Sequence, residues 1–150
     1  MNLERRNSIR LIALVGLMAS TGLISLAEAE EWNKEAFSGK SFDDVIKVLG
    51  KPVLEKSNLV KLSAPEIAED GAVVPVSIST TLNAMQIAII VENNPNALAA
   101  LFIIPEGTES FVATRVKMKE SSTVYALVQA DGKWYLDSKN VKVTMGGCGG

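Results

Sequence analysis

The chain has 150 residues, 47% hydrophobic and 21% charged, the proportions of one folded domain and not of a disordered or fibrous chain. A formal net charge of −2 leaves no basic excess to track a phosphate backbone, which argues against nucleic acid as a partner. Histidine is absent and cysteine occurs once, which argues against serine triads, Cys–His dyads, histidine-based zinc or haem sites, Cys-x-x-Cys redox pairs and internal disulfides.

Residues 1–29 read as a targeting signal. Arg5-Arg6 and Arg10 precede a weakly apolar run, Leu11 to Leu26, and Ala27-Glu28-Ala29 follows as a cleavage site. The run falls short of the roughly 20 residues of a spanning helix, and Gly16, Ser20, Thr21, Gly22 and Ser25 dilute it, so a cleaved export signal is favoured over an uncleaved anchor. The paired arginines resemble the twin-arginine route, although Ser8 stands where those signals carry an aromatic residue, so the residues alone leave the route open. Cleavage removes Arg5, Arg6 and Arg10 against Glu4 and Glu28, and the mature chain is one charge more negative than the precursor.

Residues 30–57 form an N-terminal helical segment. Ser41-Phe42-Asp43-Asp44 resembles a capping box, and Val45, Ile46 and Leu49 then fall on one helical face. Gly50 and Pro52 end the helix, while Gly39 separates it from an upstream turn holding Glu35 and Phe37.

Residues 58–145 carry the period of a β-sandwich. Leu59 to Leu62 is a first short strand, and Val74, Val76 and Ile78 alternate with Pro75, Ser77 and Ser79 in a half-buried one. The segment from Ser63 to Gly71 is a connection with a solvated acidic face and room for a turn of helix. Met85 to Glu92 and Leu98 to Ile104 form a hairpin across Asn93-Asn94-Pro95-Asn96. Phe111 to Met118 has one wet face, with Arg115 and Lys117. Val124 to Ala130 and Lys133 to Asp137 flank the hairpin turn Asp131-Gly132, and Asn140 to Thr144 is a last, separate strand. Trp134 and Tyr135 point to opposite faces, one into the core and one bordering solvent, both in structural roles. Seven or eight short strands with turns between them predict an all-β fold, an immunoglobulin-like antiparallel sandwich with a short N-terminal helix.

Residues 146–150 read Gly146-Gly147-Cys148-Gly149-Gly150. Four glycines leave both flanks of the thiol sterically bare, and five or six residues reach roughly 17–20 Å when extended, the picture of a flexible arm that enters a channel in another protein. No histidine or cation stands beside Cys148, and the terminal carboxylate of Gly150 disfavours thiolate, so the thiol is expected to titrate at or above about 8.5. Cys148 is therefore a handle acted on by partner enzymes, with no catalytic residue, metal site or bound cofactor of its own.

The chain resembles the SoxY family of periplasmic thiosulfate oxidation. The resemblance rests on Val141-Lys142-Val143-Thr144-Met145 running into the terminal glycines and Cys148, on Ala64 to Glu69 with Gly71 to Val76, and on Arg115 to Met118 with Val124 to Val128. It implies a periplasmic sulfur carrier, paired with SoxZ in a heterodimer and exported folded by the twin-arginine route. It further implies Cys148 as the covalent attachment site. The haem enzyme SoxAX would join thiosulfate to the thiol, the manganese hydrolase SoxB would release sulfate, and SoxCD or another acceptor would take the remaining sulfur. Nucleic acid and, after signal cleavage, the membrane are not expected partners. The alternatives are an exported immunoglobulin-like binding or structural module with an incidental thiol tail, and a thiol enzyme using Cys148 as nucleophile.

Overall fold

The computed structural model describes residues 34–146; the expected export signal in residues 1–29 and the residues from Gly147 onward, Cys148 among them, lie outside the described residues. Residues 34–38 are helical, and the chain breaks at Gly39, whose N–H donates to the Ala36 carbonyl at 3.4 Å. Helix α1, Phe42–Val48, then starts on Ser41, whose Oγ accepts the Asp44 N–H at 3.1 Å, while Asp44 Oδ2 reaches back to the Lys40 N–H at 3.2 Å. These bonds satisfy amide groups that a helix start otherwise leaves open. At the other end Gly50 takes the left-handed conformation, φ 85°, and its N–H and that of Lys51 close on the carbonyls of Lys47 and Ile46. This paired closure is the Schellman stop that the glycine predicts.

Nine strands follow among the described residues: β1 Leu54–Lys56, β2 Val60–Ser63, β3 Ile67–Ala68, β4 Val74–Thr80, β5 Ala84–Val91, β6 Leu98–Ile103, β7 Phe111–Val116, β8 Ser122–Ala130 and β9 Lys133–Val143. One sheet of six strands runs β1-β9-β8-β5-β6, with β3 also on β9; the other, of three, runs β2-β4-β7. The hairpins β5–β6 and β8–β9 form as predicted. Asp131 and Gly132 both take positive φ, 51° and 72°, as a two-residue turn matched to strand twist requires.

The sheets face each other across Val74, Val76 and Ile78 of β4 and Val112 and Val116 of β7, packed on Ile87, Ile89 and Val91 of β5 and Val124, Ala126 and Val128 of β8. This is the immunoglobulin-like sandwich the strand pattern predicts. The larger sheet is also covered on its outer face. Ala88 and Ile90 of β5, Leu127 of β8 and Trp134 of β9 pack there with Ala36 and Val45 of the helical stretches, and the Phe42 and Tyr125 rings meet at 4.4 Å between centroids. Burial on both faces explains why β5 is a continuous apolar run where β4 alternates.

Several expectations change. Leu54–Lys56, assigned to the helical segment 30–57, is strand β1, parallel to the start of β9. The predicted separate strands Lys133 to Asp137 and Asn140 to Thr144 are one element, because β8 pairs with β9 without a break from Ala130↔Lys133 to Ser122↔Val141. Within the Ser63 to Gly71 connection, Ile67–Ala68 is no helical turn but a two-residue strand parallel to the end of β9. Two strands therefore run parallel to β9 in a sandwich expected to be antiparallel. Trp134 and Tyr135 point to opposite faces as expected: Trp134 is buried under the helix, and Tyr135, half-buried beside the inter-sheet core, borders solvent.

Candidate functional site

The candidate site is the place where the chain leaves the sandwich toward Cys148. Strand β9 delivers it, held by β8 along one edge and by β3 at the end of the other. Past Val143 the chain stays tied down. The Thr144 N–H donates to the Ala68 carbonyl at 3.1 Å, the Thr144 hydroxyl to the Glu69 carbonyl at 3.2 Å, and the Gly71 N–H to the Met145 carbonyl at 2.8 Å. Ser121 braces the opposite side, its Oγ accepting the Val143 N–H at 2.9 Å.

Gly146 is the last described residue. A Cβ there would collide with the Lys119 carbonyl, so the backbones approach as only glycine allows. Gly146, assigned to the flexible arm, thus packs against the body; Gly147, Cys148, Gly149 and Gly150 lie outside the described residues. The span from the Gly146 Cα to the Cys148 Cα is at most about 7 Å, well short of the 17–20 Å reach expected of the whole tail.

Three loops surround this exit. The first, around Asp70-Gly71, is shaped by Asp70 Oδ1, which accepts the Ala72 N–H at 2.8 Å. The second runs through Lys117, Met118 and Lys119, with the Met118 N–H donating to the Gly71 carbonyl at 2.7 Å. The third is the β5–β6 turn, whose Asn94 carboxamide donates to the Lys117 carbonyl at 2.7 Å and accepts the Lys119 N–H at 3.0 Å. Sequence reasoning read Asn94 as turn-forming and Gly71 as part of a connection. The pattern Asn93-Asn94-Pro95-Asn96 does signal a turn, but nothing local signals that one asparagine bonds to a loop more than twenty residues away.

The exit carries charges of both signs, Lys117, Lys119 and Lys142 against Glu69, Asp70 and Glu120. Nearby on β8 the Tyr125 hydroxyl donates to Glu92 Oε2 at 3.3 Å; partial burial first, and then the Glu92 carboxylate, push its phenol above the ordinary tyrosine range. Among the described residues no three Cys, Asp or Glu side chains gather as a metal cage, and no helix is long and apolar enough to cross a membrane. The arrangement is a braced frame from which the last strand leads the chain on toward Cys148.

A family model described as sulfur oxidation protein SoxY matches residues 45–148, so the match runs through the last strand and reaches the cysteine. Among solved structures, the sulfur carrier protein SoxY from Chlorobium limicola f thiosulfatophilum is 34% identical with a TM-score of 0.64, the alignment covering 75% of this chain and 99% of that one. A superoxide reductase (neelaredoxin) from Ignicoccus hospitalis, 19% identical, has a TM-score of 0.51 over 57% of this chain and 80% of its own, a likeness of fold alone. No curated protein matches.

Proposed function

Because this chain belongs to the SoxY family of sulfur oxidation proteins and acts as a sulfur carrier, we propose that the atom carrying the sulfur is Sγ of Cys148. The observation that carries this reading is the convergence of the family match on residue 148 with a body that is braced up to Gly146. The family assignment also displaces the alternative of an exported binding module with an incidental tail.

In loading, the Cys148 thiolate and the outer sulfur of thiosulfate form a disulfide bond, and the two electrons released pass to the haem enzyme SoxAX. In the next step water adds to the sulfonate sulfur at the manganese hydrolase SoxB. The bond between that sulfur and the sulfane sulfur breaks, sulfate and protons leave, and a persulfide stays on Cys148. SoxCD or another acceptor takes the remaining sulfur. The carrier contributes attachment and presentation. Tethering holds the intermediate at an effective concentration of millimolar order while successive enzymes act, and it prevents diffusive loss.

The glycines flanking Cys148 keep side chains away from the sulfur when it enters a narrow channel. With no cation adjacent in sequence to favour the thiolate, activation of the thiol falls to the enzymes. The protein works in the periplasm, exported as a folded heterodimer with SoxZ through the twin-arginine signal in residues 1–29.

The test is intact-mass measurement of the mature protein after incubation with thiosulfate and SoxAX. Wild type gains a thiosulfate adduct and Cys148→Ala gains none. An adduct on the alanine variant, or turnover of thiosulfate by the isolated carrier, refutes the assignment. Alkylation of Cys148 against pH checks the thiol itself, and an inflection below about 7 contradicts a thiol that relies on its partners for activation.

A further inference from the structure

Asn94 is one of three buried polar residues among those described. Its own turn does not use its side chain, because the backbone N–H of Asn94 already closes the turn on the Val91 carbonyl at 3.2 Å. The carboxamide serves a different loop. Its two ends bond to Lys117 and Lys119 and straddle Met118, whose side chain is fully buried and whose N–H is fixed to Gly71. The loop is therefore held in place from both sides. The carbonyl of Lys119 then lies where a side chain on residue 146 would have to go.

We propose that Asn94 is a positioning residue of the carrier: by clamping Lys117–Lys119 it fixes the wall against which Gly146 rests, and so sets where and in what direction the thiol-bearing arm leaves the body. This rests on the assignment of Cys148 as the carrying residue. The physical reason is the shortness of the tether. Only Gly147 lies between Gly146 and Cys148, and a span of at most about 7 Å cannot absorb a displaced root as a long linker would. A partner that draws the sulfur into its active site must come up against the loops around the exit, so the root of the arm and that surface have to stay in register.

The experiment uses the mature protein in its complex with SoxZ, loaded with thiosulfate, and measures initial rates of sulfate release by SoxB across carrier concentrations. The variants are Asn94→Ala, Gly146→Ala and the double substitution. Circular dichroism monitors folding, and iodoacetamide alkylation monitors access to Cys148. Expected are a KM raised at least about fivefold by each single substitution, with kcat and the alkylation rate within about twofold of wild type, the pattern of lost binding and not lost chemistry. Both substitutions open one contact, so the double variant should be no worse than the worse single. Unchanged KM in either single variant, or effects that multiply in the double, overturns the proposal. If Asn94→Ala fails to fold, Gly146→Ala decides alone, and an unchanged KM there overturns it. Wild type that takes no adduct on Cys148 overturns the carrier assignment and the clamp together, whereas normal wild-type turnover with unaffected variants overturns only the clamp.

Discussion

Replacing Asp137 by alanine tests how the sandwich is closed on the side of its longest strand. Asp137 lies in β9, and its Oδ2 accepts the N–H of Leu62, in strand β2 of the opposite sheet, at 2.8 Å; Oδ1 accepts the N–H of Ser138 at 2.8 Å. Leu62 is buried in an edge strand that pairs only with β4, so without the carboxylate its amide faces the inter-sheet margin with no partner. Hydrogen bonds to charged groups contribute about 1.5–3 kcal/mol each, and this half-buried, cross-sheet one belongs near the lower end. The Ser138 bond is local and water can replace it, so the alanine variant should lose about 2 kcal/mol in all. Asparagine keeps one acceptor oxygen without the charge and should lose about half of that. For a folded unit of this size, about 2 kcal/mol corresponds to a fall in Tm of roughly 6–10 °C. Urea and thermal unfolding of the mature protein followed by circular dichroism measure both losses, and hydrogen exchange at the Leu62 amide should accelerate in the alanine variant. A loss below about 0.5 kcal/mol with unchanged exchange at Leu62 would refute the view that this carboxylate joins the sheets.

Four further outcomes follow from the same geometry. Ser41→Ala should cost about 1 kcal/mol of stability by opening the start of α1. The Ser41 and Lys40 bonds hold the Asp44 carboxyl below its usual range, so its contribution is complete above the unfolded carboxylate pKa and is lost as pH falls through the folded value; the stability gap between wild type and Asp44→Asn should therefore close on acidification, as read by unfolding at a series of pH values. Leu127→Ala, at a fully buried position between β8 and the helix, should cost about 3 kcal/mol in urea unfolding, and a change under 1 kcal/mol would mean that the outer face is not packed. Ultraviolet titration should place Tyr125 above the ordinary tyrosine range, with Glu92→Gln bringing it part of the way back, since burial is the larger cause and the carboxylate the second.

Local chemistry made much of this fold readable from residues alone. The cap at Ser41, the stop at Gly50 and the turn at Asp131-Gly132 each depend on one residue and its immediate neighbours, and each is found where the spacing puts it. What the sequence hid depends on distant partners. The polar stretch Asp137 to Asn140 looks like a gap between two strands, yet β8 pairs across it and Asp137 spends its carboxylate on the other sheet. Ile67–Ala68 is too short to show a period, and its identity as a strand comes wholly from lying beside β9. The outer covering of the larger sheet was present in the unbroken apolar run of β5, but such a run says only that both faces are buried and not what buries them. At the exit, Gly146 reads as one more tail glycine; only the position of Lys119 reveals that it belongs to the frame.

The bracing of β9 has a mechanical consequence. Against a pull along the axis of this strand, its hydrogen bonds to β8 lie across the direction of force, with β1 and β3 gripping the opposite edge. The load is then borne in shear by many bonds at once, not one by one as when a strand is peeled away from its end. Force applied along this strand from beyond Gly146 strains a lap joint and not a zipper.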